Sequence, residues 1–346
     1  MDTPALDTQN MAEAIYDFPN HLADAIELGK NFSLTNSDIE IRNIVVAGMG
    51  GSAIGGDVCR VLIASELNIP FVVNRNYTLP NWVNEYTLVI CSSYSGNTEE
   101  TLSAFTNAQA KGTQICGIST GGTLTEKLNT NGSGMMTIPA GLQPRAALAF
   151  SVVPMLYLLK AYGLIGDSIF EEINNTITLL KSERLEYARE DSSNSAFALA
   201  SNIYKTLPII YGTADSTAVA ALRWKGQFCE NANMLAYHNE LPEMNHNELV
   251  GWDNNAELFK HMSVLWLTDS NDHKRVQLRQ DITRRIMGQK NENQHVIAVK
   301  GSSEQVRLLH LIHFGDWVSY WCAILHGTDP SPVVLIEELK AELSSK

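Results

Sequence analysis

Strands that alternate with helices predict an α/β protein built on parallel sheets, and three features of the chain carry that expectation. Short apolar runs, such as Asn43–Ala47, Thr87–Cys91 and Val264–Thr268, are each followed by a helical pattern, the order of a parallel sheet covered on both faces. Two of these runs pass into their helices through turns dense in glycine and hydroxyls, Gly48–Asp57 and Ser92–Thr98. The pattern also repeats, with strand–glycine–helix at 44–66 and 208–231, and strand–polar turn–helix–strand at 87–118 and 264–299. The expected fold is two α/β domains, each a parallel β-sheet flanked by helices in a flavodoxin-like sandwich.

Taken in order, Ala12–Leu28 has helical spacing and Asn43–Ala47 reads as a buried strand. Gly48–Asp57 turns that strand into a helix running to about Leu67, and Phe71–Val73 is a second strand. The strand 87–91, the hydroxyl-rich loop and a helix to Lys111 come next, then the strand Gln114–Ile118. Thr120–Gly134 is polar, a loop with a short helix; Met136–Pro139 is a strand, and Pro144 opens a long apolar helix through Tyr162. The polar stretch Asp167–Asn202 reads as helical linker. Beyond it lie the strand Leu207–Gly212, the helix 218–231, the strand Val264–Thr268, the helix Asp272–Met287, the strand Val296–Val299, the helix Glu304–Leu325 and a C-terminal helix. The expected domains are therefore 1–165 with an N-terminal helix, a helical linker at 166–203, and 204–346.

Bulk properties narrow the function. At 346 residues, with 45% hydrophobic and 18% charged residues, the chain is long enough for two cores. A net charge of −13 opposes nucleic-acid backbones and anionic membranes as partners. The N-terminal stretch lacks the basic-then-apolar order of a signal peptide, and the apolar run Ala146–Leu159 is too short to span a bilayer. The five cysteines are dispersed, and four lie in apolar contexts as reduced thiols do, so a cytoplasmic location is expected.

The chemistry concentrates in Ser92-Ser93-Tyr94-Ser95-Gly96-Asn97-Thr98. A strand-to-helix turn aims backbone N–H groups and the positive end of a helix at one spot, which suits an anion. Hydroxyls add neutral donors, and the lysine of a nucleotide phosphate loop is missing, so a monophosphate held by hydroxyls and backbone amides is the expected ligand. A serine-rich helix cap is the plainer alternative. Gly48-Met49-Gly50-Gly51-Ser52-Ala53 also fits a loose dinucleotide pattern. That pattern wants an acid after the next strand, and this chain has Phe71-Val72-Val73-Asn74-Arg75.

Charges in unfavourable places mark further candidates. Arg145 follows Pro144 at a helix start, where a cation opposes the dipole, so it either faces an anion or snorkels to solvent. Glu230 lies in the last turn of the helix 218–231, where the helix dipole should raise its pKa, as a general base requires. His246 lies in the polar loop Asn239–Glu248, without metal-ligand spacing. Lys340 falls toward the apolar side of the terminal helix. His310 and His313 are one helical turn apart without an acidic or cysteine partner, so they read as packing or interface residues.

Together, Gly48–Ser52, Ser93–Thr98, Pro144-Arg145, the pair Glu230 and His246, and Leu335–Lys340 resemble the bifunctional phosphoglucose/phosphomannose isomerases, members of the sugar isomerase (SIS) domain superfamily. The resemblance covers nearly the whole chain and implies two SIS domains. It implies that Gly51, Ser52, Ser93, Ser95 and Thr98 bind the substrate phosphate. It implies further that Glu230 moves the proton between C1 and C2, and that Arg145 stabilises the cis-enediolate. His246 from the neighbouring subunit and Lys340 are implied as the ring-opening pair. A hexose 6-phosphate substrate, a homodimer with a shared active site, and no metal or cofactor are implied as well. Seven residues before Lys340, where a hydroxyl in this family favours acceptance of mannose 6-phosphate, this chain has Val333. The expectation is thus an aldose–ketose isomerase for glucose 6-phosphate, with mannose 6-phosphate open. The alternatives are a non-catalytic sugar-phosphate-binding regulator of the same fold and an isomerase for another phosphosugar.

Overall fold

The structure is a computed structural model that describes residues 5–34 and 40–345. In chain order its elements are α1 (Met11–Tyr16), α2 (Phe18–Lys30), β1 (Asn43–Ala47), α3 (Gly50–Leu62), β2 (Phe71–Asn74), β3 (Thr87–Ser92), α4 (Glu99–Ala110), β4 (Gln114–Ser119), α5 (Gly122–Thr130) and β5 (Gly134–Thr137). After a 3₁₀ turn at Pro144–Ala146 come α6 (Ala149–Ala161), α7 (Ser168–Tyr187), α8 (Ser195–Ile203), β6 (Leu207–Thr213), α9 (Ala218–Asn231) and β7 (Tyr237–Leu241). Two further 3₁₀ turns, Glu243–His246 and Glu248–Trp252, lead to α10 (Ala256–Phe259), β8 (Met262–Leu267), α11 (Lys274–Gly288), β9 (Gln294–Ile297), α12 (Glu304–His326) and α13 (Val334–Ser344).

Two compact units result. One is Asp17–Thr178; the other is Leu179–Lys346 together with the segment through Tyr16, so the boundary falls inside α7. The expected helix Ala12–Leu28 is broken at Asp17, and α2 starts with a proline in its first turn, a position that needs no N–H. α1 is capped by the Asp7 carboxylate, which accepts from the amides of Met11 and Ala12 at 2.8 Å each.

In the N-terminal unit the sheet order is β2-β1-β3-β4-β5, and every pairing is parallel. β1 and β3 are central and buried on both faces, which is why they read as continuous apolar runs. On one face Val45, Ala47, Val89 and Cys91 pack with Phe105 of α4 and with Leu124 and Leu128 of α5. β2 and β4 follow β1 and β3 on opposite sides, so the order reverses between β1 and β3. In open parallel sheets that reversal leaves a crevice at the carboxyl ends of the strands, where ligands bind.

The C-terminal unit has order β7-β6-β8-β9, again all parallel. Tyr211 of β6 and Trp266 of β8 lie tilted against each other, ring centroids 4.7 Å apart, in a core with Trp252, Phe259 and Met287. β7 was not expected: Asn239–Glu248 read as a loop because an edge strand half open to water carries polar residues. His310 and His313 are both buried. His310 bonds the Tyr187 hydroxyl and the Lys300 carbonyl at 2.8 Å each, and His313 bonds the Ile15 carbonyl at 3.0 Å. Four of the five cysteines are buried and all are free thiols.

Candidate functional site

The loops after β1 and β3 flank the crevice of the N-terminal sheet. Register pairs Ala47 with Cys91, so Gly48 falls beside Ser92. A Cβ at Gly48 would lie 2.9 Å from the Ser92 carbonyl oxygen and 3.2 Å from the Ser52 Cβ, so only glycine lets the two loops approach. In the second loop the Ser93 and Thr98 hydroxyls bond each other at 2.8 Å, and Ser93 Oγ accepts from the Gly96 amide at 3.1 Å. Gly96 has φ of +71°, and a side chain there would strike the Gly121 carbonyl. Thr120 Oγ1 and N both donate to the Tyr94 carbonyl, and the Tyr94 hydroxyl accepts from the Leu142 amide at 2.9 Å.

This loop is not an ordinary serine cap. Thr98 is the N-cap of α4, yet its side chain makes no capping bond, and neither does the N-cap Met49 of α3. Two helix N-termini therefore keep first-turn amides without side-chain caps, beside hydroxyls at the ends of the two central strands. Ser93 and Ser52 are buried, Thr98 and Gly51 are half-buried, and Ser95 is exposed with its Oγ accepting from the Asn97 amide at 3.2 Å.

Arg145 arrives at the same place by a route that the sequence did not indicate. It was expected at a helix start; it lies instead in the 3₁₀ turn Pro144–Ala146, separated from α6. A Cβ at Gly51 would lie 2.6 Å from the Pro144 carbonyl oxygen and 3.5 Å from the Arg145 amide, so the turn rests directly on the first turn of α3. Arg145 is 4% exposed, which rules out a side chain snorkelling to water.

The corresponding crevice of the C-terminal unit, between β6 and β8, is closed to an anion. Thr213 Oγ1 donates to Asp272 at 2.8 Å and Thr217 Oγ1 to the Leu267 carbonyl at 2.9 Å, so both hydroxyls are engaged. Burial pushes the Asp272 carboxyl above its ordinary range, and Asp269 beside it is forked by Arg307 at 2.7 and 2.8 Å. With one hydroxyl given to a carboxylate and the other to a backbone carbonyl, neither is left to donate to a phosphate.

That unit supplies a different feature, a cleft of about 460 Å³ lined by Glu230, Met234, Leu235, Asp329, Val333 and neighbouring residues. Glu230 is half-buried at the end of α9. The turns of this helix that lead up to Glu230 are clamped to α12. Arg223 meets Asp316 at 2.7 and 3.1 Å, Gln227 donates to Asp316 at 2.9 Å, and Asn231 donates to Ser319 at 2.9 Å. The helix end that carries Glu230 is therefore fixed rather than frayed. Val333, the N-cap of α13, lines the same cleft, a juxtaposition the sequence did not reveal.

His246 ends a 3₁₀ turn and is exposed. Lys340 corrects the sequence expectation, since it lies on no buried margin: the described side chains of α13 are exposed from Val334 onward. Within the N-terminal unit, then, the structure brings together Gly51, Ser52, Ser93, Thr98 and Arg145. Within the C-terminal unit it seats Glu230 in a cleft and leaves His246 and Lys340 on the surface. Among the described residues no cluster of metal-ligating side chains occurs, and no helix is long and apolar enough to cross a membrane.

Comparison with known proteins bears on these features. Residues 192–343 match the family model described as the bacterial phospho-glucose isomerase C-terminal SIS domain. A bifunctional phosphoglucose/phosphomannose isomerase of Caldicellulosiruptor bescii is 43% identical over 96% of this chain and 99% of its own. One from Aquifex aeolicus is 40% identical over 87% of this chain and 90% of its own. Among solved structures, the C-terminal domain of glucosamine-fructose-6-phosphate aminotransferase from Francisella tularensis superposes with a TM-score of 0.73, covering 93% of this chain and 98% of that one at 15% identity. That last likeness concerns the fold, two SIS-type parallel sheets flanked by helices.

Proposed function

The chain belongs to the bifunctional phosphoglucose/phosphomannose isomerase family and is an isomerase, and we propose that it interconverts glucose 6-phosphate and mannose 6-phosphate with fructose 6-phosphate through a cis-enediolate. The observation that carries this reading is the N-terminal crevice, where the Ser93–Thr98 hydroxyl pair and the Arg145 turn meet beside two helix N-termini without side-chain caps.

In this reading the phosphate binds to the amide of Gly51 and to Ser52, Ser93, Ser95 and Thr98. Contacts so far from the reacting carbons orient the sugar without taking part in bond changes. His246 of a neighbouring copy and Lys340 move the protons that open the ring, so the working protein is a homodimer with a shared site. The C–H beside the aldehyde carbonyl is a weak acid; Glu230 removes the C2 proton, the freed pair forms the C1–C2 double bond, and the C1 carbonyl π pair moves onto O1. Arg145 stabilises the oxyanion, an effect on the scale of about 3–4 kcal/mol. The O2 proton is then transferred to O1, the O2 pair forms the C2 carbonyl, the C1–C2 π pair takes the proton back from Glu230 at C1, and fructose 6-phosphate results. Nothing in this sequence of steps calls for a metal, a cofactor, a nucleic acid or a membrane, and a cytoplasmic location suits such a substrate.

Incubation of the protein with glucose 6-phosphate or mannose 6-phosphate, followed by assay of fructose 6-phosphate, tests the reading. Formation from both aldoses is expected. Binding of sugar phosphates without turnover would point to a regulator of the same fold, and turnover of neither aldose would move the substrate to another phosphosugar. Val333 lines the cleft with Glu230, so Val333→Thr should raise the rate with mannose 6-phosphate relative to glucose 6-phosphate.

A further inference from the structure

Two helices of the C-terminal unit carry apolar stripes that none of the described residues covers. On α13, Leu335, Leu339 and Leu343 are 80, 58 and 57% exposed; on α11, Leu278, Ile282 and Ile286 are 46, 40 and 42% exposed. Both sets are spaced by four residues. Such positions drift only about 40° per step around a helix, so each set forms one continuous stripe. Amphipathic helices normally bury such stripes.

The charges beside the stripes are opposite. On α11, Arg275 and Arg279 fall within and beside the arc of Leu278, Ile282 and Ile286, with Arg285 on its other edge. On α13, Glu338 and Glu342 edge the arc of Leu335, Leu339 and Leu343. In a chain of net charge −13, α11 is a local exception with Lys274, Arg275, Arg279, Arg284 and Arg285 against Asp281 alone. The protein's overall charge disfavours an anionic membrane as what covers α11, whereas α13 has the matching spacing and the opposite sign.

We propose that α13 of one copy docks on α11 of a second copy, leucine stripe on isoleucine–leucine stripe, with Glu338 and Glu342 facing Arg275 and Arg279. In a two-fold dimer the contact occurs twice. The inference rests on the shared-site reading above and gives that site its means of assembly. The turn that ends in His246 is tied to α11, because Asn245 Nδ2 donates to Thr283 Oγ1 at 2.8 Å. Lys340 follows Leu339 on α13. Docking α13 on α11 thus carries His246 of one copy and Lys340 of the other to the same junction.

The experiment uses the full chain with Ile282→Cys and Leu339→Cys together, each single variant, and the unaltered protein, all under mild oxidation. Both substituted positions are exposed, and the native thiols are buried apart from half-buried Cys229. The double variant should run as a disulfide-linked species of twice the chain mass, while the single variants and the unaltered protein do not. A linked dimer from Leu339→Cys alone would mean that α13 packs on its own twin and would overturn the proposal. So would an intramolecular link, no link at all, or a monomeric mass for the unaltered protein in sedimentation. Isomerase turnover measured on the unaltered protein separates the two readings. Turnover without the link removes the docking alone, and the link without turnover removes the isomerase reading alone.

Discussion

Gly51 and the Pro144 carbonyl approach so closely that a methyl group between them would lie 2.6 Å from the oxygen. This contact seats the turn carrying Arg145 on the helix N-terminus beside the hydroxyl loop. Gly51→Ala must push the turn away, at a cost to stability of about 1–3 kcal/mol for an overpacked contact. Displacing a group by about 1 Å can cost roughly 100-fold in rate. The expected outcome is a folded protein with kcat/KM lowered on that order, measured beside its thermal melt. Activity within twofold of the unaltered protein would show that the contact does not position Arg145.

The Ser93–Thr98 pair should act as one unit. Hydrogen bonds to a charged group contribute about 1.5–3 kcal/mol, so Ser93→Ala or Thr98→Val should raise KM by roughly tenfold or more. Because the hydroxyls bond each other at 2.8 Å, the double variant should lose less than the sum of the singles. Weaker competitive inhibition by inorganic phosphate should accompany the change. Unaltered KM and inhibition in both singles would place the phosphate elsewhere.

α9 owes its fixed position to a buried ion pair, with the Arg223 and Asp316 side chains 3 and 5% exposed. Asp316→Leu leaves a buried guanidinium without its carboxylate and should cost about 3–5 kcal/mol. Arg223→Met combined with Asp316→Leu should recover most of that loss. Urea unfolding of the three variants checks the ordering, which would fail if the double were less stable than Asp316→Leu.

His313 sets an acid limit on stability. Burial depresses its imidazole from 6.5 to about 3, so the folded form holds it neutral while the unfolded chain takes up a proton below pH 6.5. The unfolded state thus binds more protons between pH 6.5 and about 3, and stability falls as pH drops through that window. The slope from this group is about 1.4 kcal/mol per pH unit. His313→Gln should flatten the dependence in denaturant titrations from pH 7 to 5; an unchanged slope would contradict the assignment.

The central strands were legible because β1, β3 and β8 are apolar runs buried in the sheet. The hydroxyl loop was legible because its composition has a direct chemical meaning. β7 was not, since an edge strand open to water reads as loop when its residues, Tyr237-His238-Asn239-Glu240, are polar. The turn at Arg145 was hidden for another reason. Its position is set by a tertiary contact with Gly51, ninety-four residues earlier in the chain, which no local pattern encodes. Lys340 was misplaced because helical periodicity identifies an apolar face without saying what covers it. The five exposed apolar residues of α13 remain open to solvent in a single chain.

The most direct measurement of the central claim is incorporation of solvent deuterium at C2 of glucose 6-phosphate, followed by NMR in D2O for the unaltered protein and for Glu230→Gln. An enediolate route predicts deuterium at C2 with the unaltered protein. It predicts none with Glu230→Gln, while that variant still binds the sugar phosphate. Exchange at an undiminished rate in Glu230→Gln would show that another group moves the proton, and turnover by the unaltered protein without any exchange would contradict the proposed exchange of the C2 proton with solvent through Glu230.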